Sequence, residues 1–215
     1  MHSILIAITG ASGSIYGQKL LREAVERFAE VNLVISPHAA QVMAQELGVE
    51  IDLHHFSAEE LFRSEWTPTL AEQVKARLRY YHFADFSAPF ASGSHPCGAM
   101  VIVPCSQGTL ARIVHGIADN LITRAAAVML KERQPLILVP RETPLSIIHL
   151  RNWLTLAEAG AVILPACPPF YHRPQTIDDL VQAVVQRIWA HLSGLEEGRQ
   201  IRWGETREEP GAGAF

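Results

Sequence analysis

The sequence predicts a three-layer α/β fold, a doubly wound parallel sheet of the Rossmann-like, flavodoxin type. Two observations predict it. Short apolar runs that end in turn residues alternate with longer stretches of helical period, which is the pattern of parallel strands joined by crossover helices. The runs are also almost continuously apolar, as expected of strands that helices cover on both faces.

The chain has 215 residues, a length that favours one domain. We predict a single α/β domain over residues 1–193 and a C-terminal tail over residues 194–215. The apolar runs predict strands at residues 3–8, 31–35, 100–103, 136–139 and 161–164. The periodic stretches predict helices at residues 15–28, 36–47, 109–117, 121–133, 145–159 and from 176 onwards. Residues 49–87 are irregular, aromatic and mixed in charge, and the sequence assigns no element to them.

The composition excludes several classes of protein. The chain carries 18 Lys and Arg against 22 Asp and Glu, a net charge of −4, which argues against a nucleic-acid binder. No apolar run reaches the roughly 18 residues of a membrane span, so we expect a soluble, cytoplasmic protein that binds no membrane. Cys97, Cys105 and Cys167 form no C-x-x-C pair and favour a reducing compartment. Without an H-E-x-x-H or Asp-rich motif, we expect no bound metal.

Polar loops follow the predicted strands, at the edge where a parallel α/β sheet binds its ligands. Gly10-Ala11-Ser12-Gly13-Ser14 follows the first strand, and Pro104-Cys105-Ser106-Gln107-Gly108-Thr109 follows the third. Glycines admit a ligand close to the backbone, hydroxyls donate to anionic oxygens, and the following helix adds positive potential. The first loop alone fits equally well a tight turn with a serine cap. Two such loops, with the small segment Ser92-Gly93-Ser94, favour a ligand that carries a phosphate.

The ligand is predicted to be a mononucleotide. The first loop is not G-x-G-x-x-G, and the second strand ends at Ser36, where an NAD-binding fold places Asp or Glu. Four cations could serve a second phosphate: Arg124, Lys131, Arg141 and Arg187. Each one alone is more simply a solvated surface charge. Together they would suit a dianion, and we expect them at one edge of the sheet.

Several motifs together resemble the UbiX/Pad-type flavin prenyltransferases, in order along most of the chain. The clearest are Ile8-Thr9-Gly10-Ala11-Ser12-Gly13, Leu121-Ile122-Thr123-Arg124-Ala125-Ala126, Val139-Pro140-Arg141-Glu142-Thr143-Pro144 and Phe170-Tyr171-His172-Arg173-Pro174-Gln175. The resemblance implies a metal-independent transferase. It joins the dimethylallyl group of dimethylallyl monophosphate to N5 and C6 of reduced FMN, releases phosphate and makes prenylated FMN for a UbiD-type decarboxylase, as in ubiquinone biosynthesis.

The resemblance also implies a homododecamer with sites at subunit interfaces, where the tail packs partly on a neighbouring subunit and Trp203 reaches that subunit's flavin. By position, it assigns three sets of residues. The flavin contacts are Gly10, Ala11, Ser12, Ser36, Ser106, Gln107, Gly108, Thr109 and Arg141. The contacts to the prenyl donor are Ser92, Gly93, Ser94, Arg124, Lys131, Tyr171 and Arg187. The catalytic residues are Ser12, Glu46 and Glu142, with Glu142 passing a proton to phosphate and the other two assisting proton movement at N5.

Three alternatives remain open from the sequence. An FMN-dependent cysteine decarboxylase would share the fold, but its Pro-x-Met-Asn-x-x-Met-Trp clamp is absent, and Pro140-Arg141-Glu142-Thr143-Pro144 stands in the corresponding region. A decarboxylase acting on aromatic acids by itself would need no partner. A flavin-binding module without catalysis would need neither the four cations nor the paired glutamates.

Overall fold

The computed structural model of the protein describes residues 3–192. Six parallel strands form one sheet in the order β3-β2-β1-β4-β5-β6. The strands are β1 (Ser3–Ile8), β2 (Glu30–Ile35), β3 (Leu78–Tyr81), β4 (Met100–Cys105), β5 (Leu136–Pro140) and β6 (Val162–Ile163). The α-helices are α1 (Ser14–Arg27), α2 (Pro37–Leu47), α3 (Ala58–Leu61), α4 (Pro68–Arg77), α5 (Gln107–Val114), α6 (Leu121–Lys131), α7 (Ile147–Glu158) and α8 (Ile177–Leu192).

This architecture confirms the predicted α/β fold. The strand order reverses between β1 and β4, the switch point at which sheets of this kind bind ligands. The predictions for the C-terminal tail and for Trp203 lie outside the described residues.

Residues 49–87 contain three elements that the sequence does not predict: the helices α3 and α4 and the strand β3. β3 lies at the sheet edge, pairs with β2, and buries only Leu78 of its four residues. Its sequence therefore shows no apolar run. β4 also extends to Cys105, beyond the predicted end at residue 103. Pro104 lacks an N–H, but its carbonyl accepts a hydrogen bond from the N–H of Thr9.

Two hydrophobic clusters, one on each face of the sheet, hold the layers together. One gathers side chains from α1, α2, α4 and α8 and includes Phe28 stacked on Trp189 with ring centroids 6.0 Å apart. The other gathers side chains from α5, α6 and α7. α1 crosses β4 at Gly17, where an added Cβ would lie 2.5 Å from the carbonyl oxygen of Val103. Only glycine lets this helix pack so close to the sheet.

The topology gives the sheet two chemically different edges. At the carboxyl edge, α1, α2 and α5 begin shortly after β1, β2 and β4 end. At the amino edge, the segment before β4 meets the start of β1, because the Gly98 N–H donates to Ser3 Oγ at 3.4 Å. α6 runs back from the carboxyl edge and ends at Lys131, just before β5 begins. Residues near Lys131 therefore lie at the amino edge.

Candidate active site

Thr9 joins the ends of β1 and β4. Its hydroxyl donates to the carbonyl of Pro104 at 2.8 Å and accepts from the N–H of Ser106 at 2.8 Å. Thr9 is only 1% exposed, so both bonds are sheltered from water. They hold the two predicted phosphate loops side by side. The sequence motif contains Thr9, but reasoning from the sequence assigned it no role.

Ser36 and Ser106 begin α2 and α5. The Ser36 hydroxyl accepts from the N–H of Ala39 at 3.1 Å, and the Ser106 hydroxyl accepts from the N–H of Thr109 at 3.2 Å. Accepting a hydrogen bond leaves each O–H able to donate elsewhere. The capping role and the binding role predicted for these serines are therefore compatible, and two positive helix ends meet at one place.

A cavity of about 460 Å³ lies between these helix starts. Its walls come from the carboxyl ends of β1, β2 and β4 and from the start of α6. The lining residues are Gly10, Ser36, Pro37, His38, Phe83, Ser106, Gly108, Thr109, Arg112, Asp119, Asn120 and Ile122. An added Cβ at Gly10 would collide with the Cβ of His38, so glycine is required for the loop to meet α2. Five predicted flavin contacts thus share one cavity: Gly10, Ser36, Ser106, Gly108 and Thr109.

Seven lining residues were not among the predicted contacts: Pro37, His38, Phe83, Arg112, Asp119, Asn120 and Ile122. Asn120 caps α6 by accepting from the N–H of Thr123 at 3.0 Å, and this Asn directly before an apolar helix was a recognisable signal. Phe83 belongs to the segment without predicted elements. Nothing in the sequence pattern marks Arg112 and Asp119, whose ion pair of 3.2 Å depends on the fold.

Glu46, near the end of α2, caps the start of α1. Its carboxylate accepts from the N–H groups of Gly13 at 2.9 Å and Ser14 at 2.8 Å. Burial raises the pKa of Glu46, but hydrogen bonds from Ser12, Ser14 and Gly13 outweigh it and bring the pKa below its ordinary value. The carboxylate is therefore ionised at neutral pH. It holds the Ser12–Ser14 turn, which supplies no side-chain cap of its own.

Arg141, directly after β5, reaches the same turn. Its Nε donates to the carbonyl of Ser12 at 3.2 Å. Burial raises the pKa of the nearby Tyr16 hydroxyl; the Cys167 thiol raises it further, and the Arg141 guanidinium opposes the shift. Arg141 and Cys167 therefore lie near the Tyr16 hydroxyl at the carboxyl edge.

A second cavity, of about 300 Å³, brings two predicted donor contacts together. Tyr171 and His172, from the loop after β6, face Arg187 of α8, and Cys167 lines the same wall.

Ala11 and Ser12 lie in the turn beside the first cavity, and the Ala11 N–H donates to the Thr9 carbonyl at 2.8 Å. Glu142 is exposed, and its carboxylate accepts from the Thr143 N–H at 3.1 Å.

The remaining predicted donor contacts lie on α6 or beside it. Arg124 Nε donates to the carbonyl of Ala91 at 2.8 Å, and Lys131 Nζ pairs with the Glu132 carboxylate at 2.8 Å. Both groups of that pair lie over Gly93, where an added Cβ would collide with Glu132 and lie 2.7 Å from Lys131 Nζ. The hydroxyls of Ser92 and Ser94 are 2.9 Å apart. Ser92–Ser94, Arg124 and Lys131 thus form one group.

This placement corrects one expectation. Arg124, Lys131, Arg141 and Arg187 do not gather at one edge within a single chain, because α6 carries Lys131 to the amino edge while Arg141 lies at the carboxyl edge. The seven-residue spacing places Arg124 and Lys131 along one face of a helix. It does not reveal which end of the helix faces which edge of the sheet.

Gln107 also differs from its predicted surroundings. Its side-chain oxygen accepts from the Trp153 indole N–H at 3.1 Å, so the side chain lies towards α7 and does not line the cavity. Its backbone N–H, at the first position of α5, is the group available to an anion.

Comparison with known proteins identifies the family. The model of the Flavoprotein family matches residues 1–189. The flavin prenyltransferase UbiX of Pseudomonas aeruginosa is 48% identical over 202 residues, and the match covers 94% of each chain. The chain belongs to the UbiX family of flavoproteins.

Solved structures of UbiX proteins share the fold. AnUbiX (PadA1), in complex with FMN and dimethylallyl pyrophosphate, is 38% identical with a TM-score of 0.75; the match covers 89% of this chain and 92% of that one. A dodecameric FMN-dependent UbiX-like decarboxylase from Escherichia coli O157:H7 is 36% identical with a TM-score of 0.78, over 94% of this chain and all of that one. The resemblance seen in the sequence is thereby confirmed.

Two further findings concern residues 3–192 alone. No helix there is long and apolar enough to cross a membrane. No group of three or more His, Cys, Asp or Glu side chains in that range is arranged to hold a metal ion.

Proposed function

We propose that the protein is a flavin prenyltransferase that joins a dimethylallyl group to reduced FMN and releases phosphate. The observation that carries this proposal is the cavity between the serine-capped starts of α2 and α5, in a chain 48% identical to a UbiX enzyme. The AnUbiX structure holds both FMN and dimethylallyl pyrophosphate. The product would be prenylated FMN for a UbiD-type decarboxylase.

The first cavity suits the phosphate end of FMN. Ser36, Ser106 and Thr109 present hydroxyls there, and two helix ends add positive potential. When bound, reduced FMN supplies the nucleophilic atoms N5 and C6. Arg141 fixes the turn at Ser12, and the buried Thr9 fixes that turn relative to Ser106, so the chain orients the flavin with groups that are already in place.

The prenyl donor needs cations around its leaving phosphate. Arg141, Arg187 and the Tyr171 hydroxyl would serve this phosphate from the carboxyl edge of one chain. The second half of the donor site would come from a neighbouring copy, which would contribute Arg124 and Lys131 of α6 and the Ser92–Ser94 segment beside it. These groups would stabilise the negative charge that builds on the phosphate as the allylic C–O bond breaks.

Assembly of several copies is therefore part of the proposal. α7 exposes apolar side chains that a single chain leaves in water: Ile147 is 61% exposed, Ile148 64% and Leu154 59%. A patch of this kind fits a contact between copies. The related Escherichia coli O157:H7 structure is dodecameric, which supports the same state here.

Proton transfer would use three groups in different ways. Glu142, exposed after β5, would deliver a proton to the departing phosphate. Glu46 is held ionised by its hydrogen bonds, so it would act as an acceptor. Ser12, which donates to Glu46, would relay the proton at N5 through its hydroxyl.

The partner and the location are proposed from weaker observations. A UbiD-type decarboxylase would consume the product because prenylated flavin has no further use in this site. Free thiols at Cys97, Cys105 and Cys167 support a cytoplasmic location, where thiols stay reduced.

The deciding experiment is anaerobic incubation with reduced FMN and either dimethylallyl monophosphate or the diphosphate, followed by mass analysis of the flavin. A flavin enlarged by one five-carbon unit, with one phosphate ester consumed for each, is expected. Comparing the two donors also decides which ester is used. An unchanged flavin mass with folded, FMN-bound protein would refute the proposal, and decarboxylation of a cysteine-containing peptide would favour the cysteine decarboxylase instead.

A further inference from the structure

Arg112 is a cation in the wall of the first cavity to which neither the motifs nor the proposed function gives a role. It lies in the last turn of α5, yet its side chain lines the same cavity as Ser36, Ser106 and Thr109. It is the one Lys or Arg among the described residues that line this cavity.

Two hydrogen bonds fix the guanidinium. Arg112 Nε donates to Asp119 Oδ2 at 3.2 Å, and Nη1 donates to the Gly108 carbonyl at 3.2 Å. An arginine has five N–H donors in a planar fork, so most of them remain for another acceptor. Within residues 3–192, no hydrogen bond uses Nη2 of Arg112.

The charges around the cavity indicate which acceptor would bind. Two helix N-termini and several hydroxyls favour an anion, but Asp119 is a negative charge in the same wall. Asp119 is already engaged, because its Oδ1 accepts from Asn120 Nδ2 at 2.8 Å and its Oδ2 from Arg112. Arg112 thus neutralises the one unfavourable charge and keeps N–H donors for the anion.

We propose that Arg112 binds the phosphate of FMN and makes this chain discriminate FMN from riboflavin. The inference rests on the proposed function, since it takes FMN as the ligand. It adds a side-chain cation to a site otherwise formed by hydroxyls, backbone N–H groups and helix ends.

The Arg112–Asp119 ion pair is exposed, so the binding role of Arg112 can be tested by substitution. The side chains of Arg112 and Asp119 are 47% and 50% exposed, and exposed ion pairs contribute little to folding stability. Replacing Arg112 should therefore change binding without unfolding the chain. Arg112→Met keeps the aliphatic stem and serves as a second variant beside Arg112→Ala.

The experiment measures dissociation constants of FMN and riboflavin, by quenching of flavin fluorescence, for the apoprotein and its variants. Loss of a charge-assisted contact should weaken FMN binding roughly tenfold in both Arg112 variants. Riboflavin affinity should stay within about twofold, because riboflavin lacks the phosphate. Arg63→Ala, at an exposed arginine outside both cavities, should change neither, and Asp119→Asn should bind FMN at least as well as the parent protein.

Equal losses for the two flavins would overturn the inference and leave Arg112 a residue that only shapes the cavity. No loss for either flavin would overturn it as well. If the unmodified protein binds neither flavin, the proposed function fails together with it. If the unmodified protein binds FMN but the Arg112 variants do not lose more affinity for FMN than for riboflavin, this inference alone is refuted.

Discussion

The carboxyl edge and the α6 side of this molecule are built in opposite ways. At the carboxyl edge, the side chains of Thr9, Ser36, Ser106 and Glu46 are bonded to backbone groups, so the cavity is organised before any ligand arrives. On α6, the Lys131 side chain is 67% exposed, and among residues 3–192 its one ion pair is with the adjacent Glu132. This difference is what the proposed function requires if one chain forms the flavin side of the site and a second copy completes the donor side.

The largest effect is expected from two substitutions, one in each region, that are carried by different copies of the chain. Lys131→Ala and Arg141→Ala should each lower prenylation at least about 100-fold, because each removes a cation from the leaving phosphate. If the site is shared, co-expression of the two variants should restore about one quarter of the parent activity, since random mixing pairs an intact edge with an intact α6 that often.

Flavin product formed by the co-expressed variants, measured by mass spectrometry, checks this prediction. The control mixes the two variants after separate purification, without subunit exchange. Activity absent from the co-expressed sample would show that both halves of the site belong to one chain.

A smaller effect is expected from Gly10→Ala, which acts on the carboxyl edge alone. The new Cβ collides with the Cβ of His38, a rigid point at the start of α2, and must push the loop and the helix apart. FMN affinity should fall roughly tenfold or more, with the loss of several hydrogen bonds to the phosphate. Titration of the apoprotein with FMN measures it, and unchanged affinity would mean that FMN does not bind between this loop and α2.

Gly93→Ala is the matched change on the α6 side and should be milder. Its Cβ meets the far ends of Lys131 and Glu132, which can move aside, so stability should change by less than about 0.5 kcal/mol. The KM for the prenyl donor should rise severalfold while FMN affinity stays constant. Steady-state kinetics with each substrate varied measures both effects. If α6 served the flavin, FMN affinity would fall while the KM for the prenyl donor stayed constant.

The smallest effect concerns Glu46 and depends on pH. Because the folded-state pKa lies below the ordinary value of 4.5, the ionised carboxylate stabilises the fold above that pH and loses its contribution as pH falls through the folded-state pKa. Glu46→Gln should therefore cost about 1 kcal/mol of unfolding free energy at pH 7, the usual value of a helix cap, and progressively less as the pH falls through the folded-state pKa.

Urea unfolding of both proteins at several pH values measures the difference. Glu50→Gln, at an exposed glutamate just after α2, is the control and should show no such pH dependence. A Glu46→Gln deficit that stays constant from pH 7 to pH 3 would contradict the assigned cap.

Prediction from the sequence succeeded where the signal is local. β1, β2, β4 and β5 are buried runs, and their apolar sequences predicted them. β3 is a half-exposed edge strand whose sequence, Leu-Arg-Tyr-Tyr, carries no such run. The loops after β1 and β4 were predicted because Gly and Ser at a strand end have a known use.

What the sequence could not supply was contact between distant segments. Thr9 binds Ser106 across 97 positions, and Glu46 binds Gly13 across 33. Arg112 and Asp119 form an ion pair only because α5 and the loop before α6 both line the same cavity. The position of Lys131 depended likewise on the direction of α6, which helical spacing alone does not give.

The placement of Lys131 at one edge and Arg141 at the other has a consequence for symmetry. If the carboxyl edge of one copy meets α6 of the next, the contact joins two different patches. A two-fold contact completes both half-sites only where the two patches lie in the same interface, since residue i of one copy then contacts residue j of the other and residue j contacts residue i. A head-to-tail contact completes every half-site only when it closes into a ring, because an open filament leaves one half-site unpaired at each end.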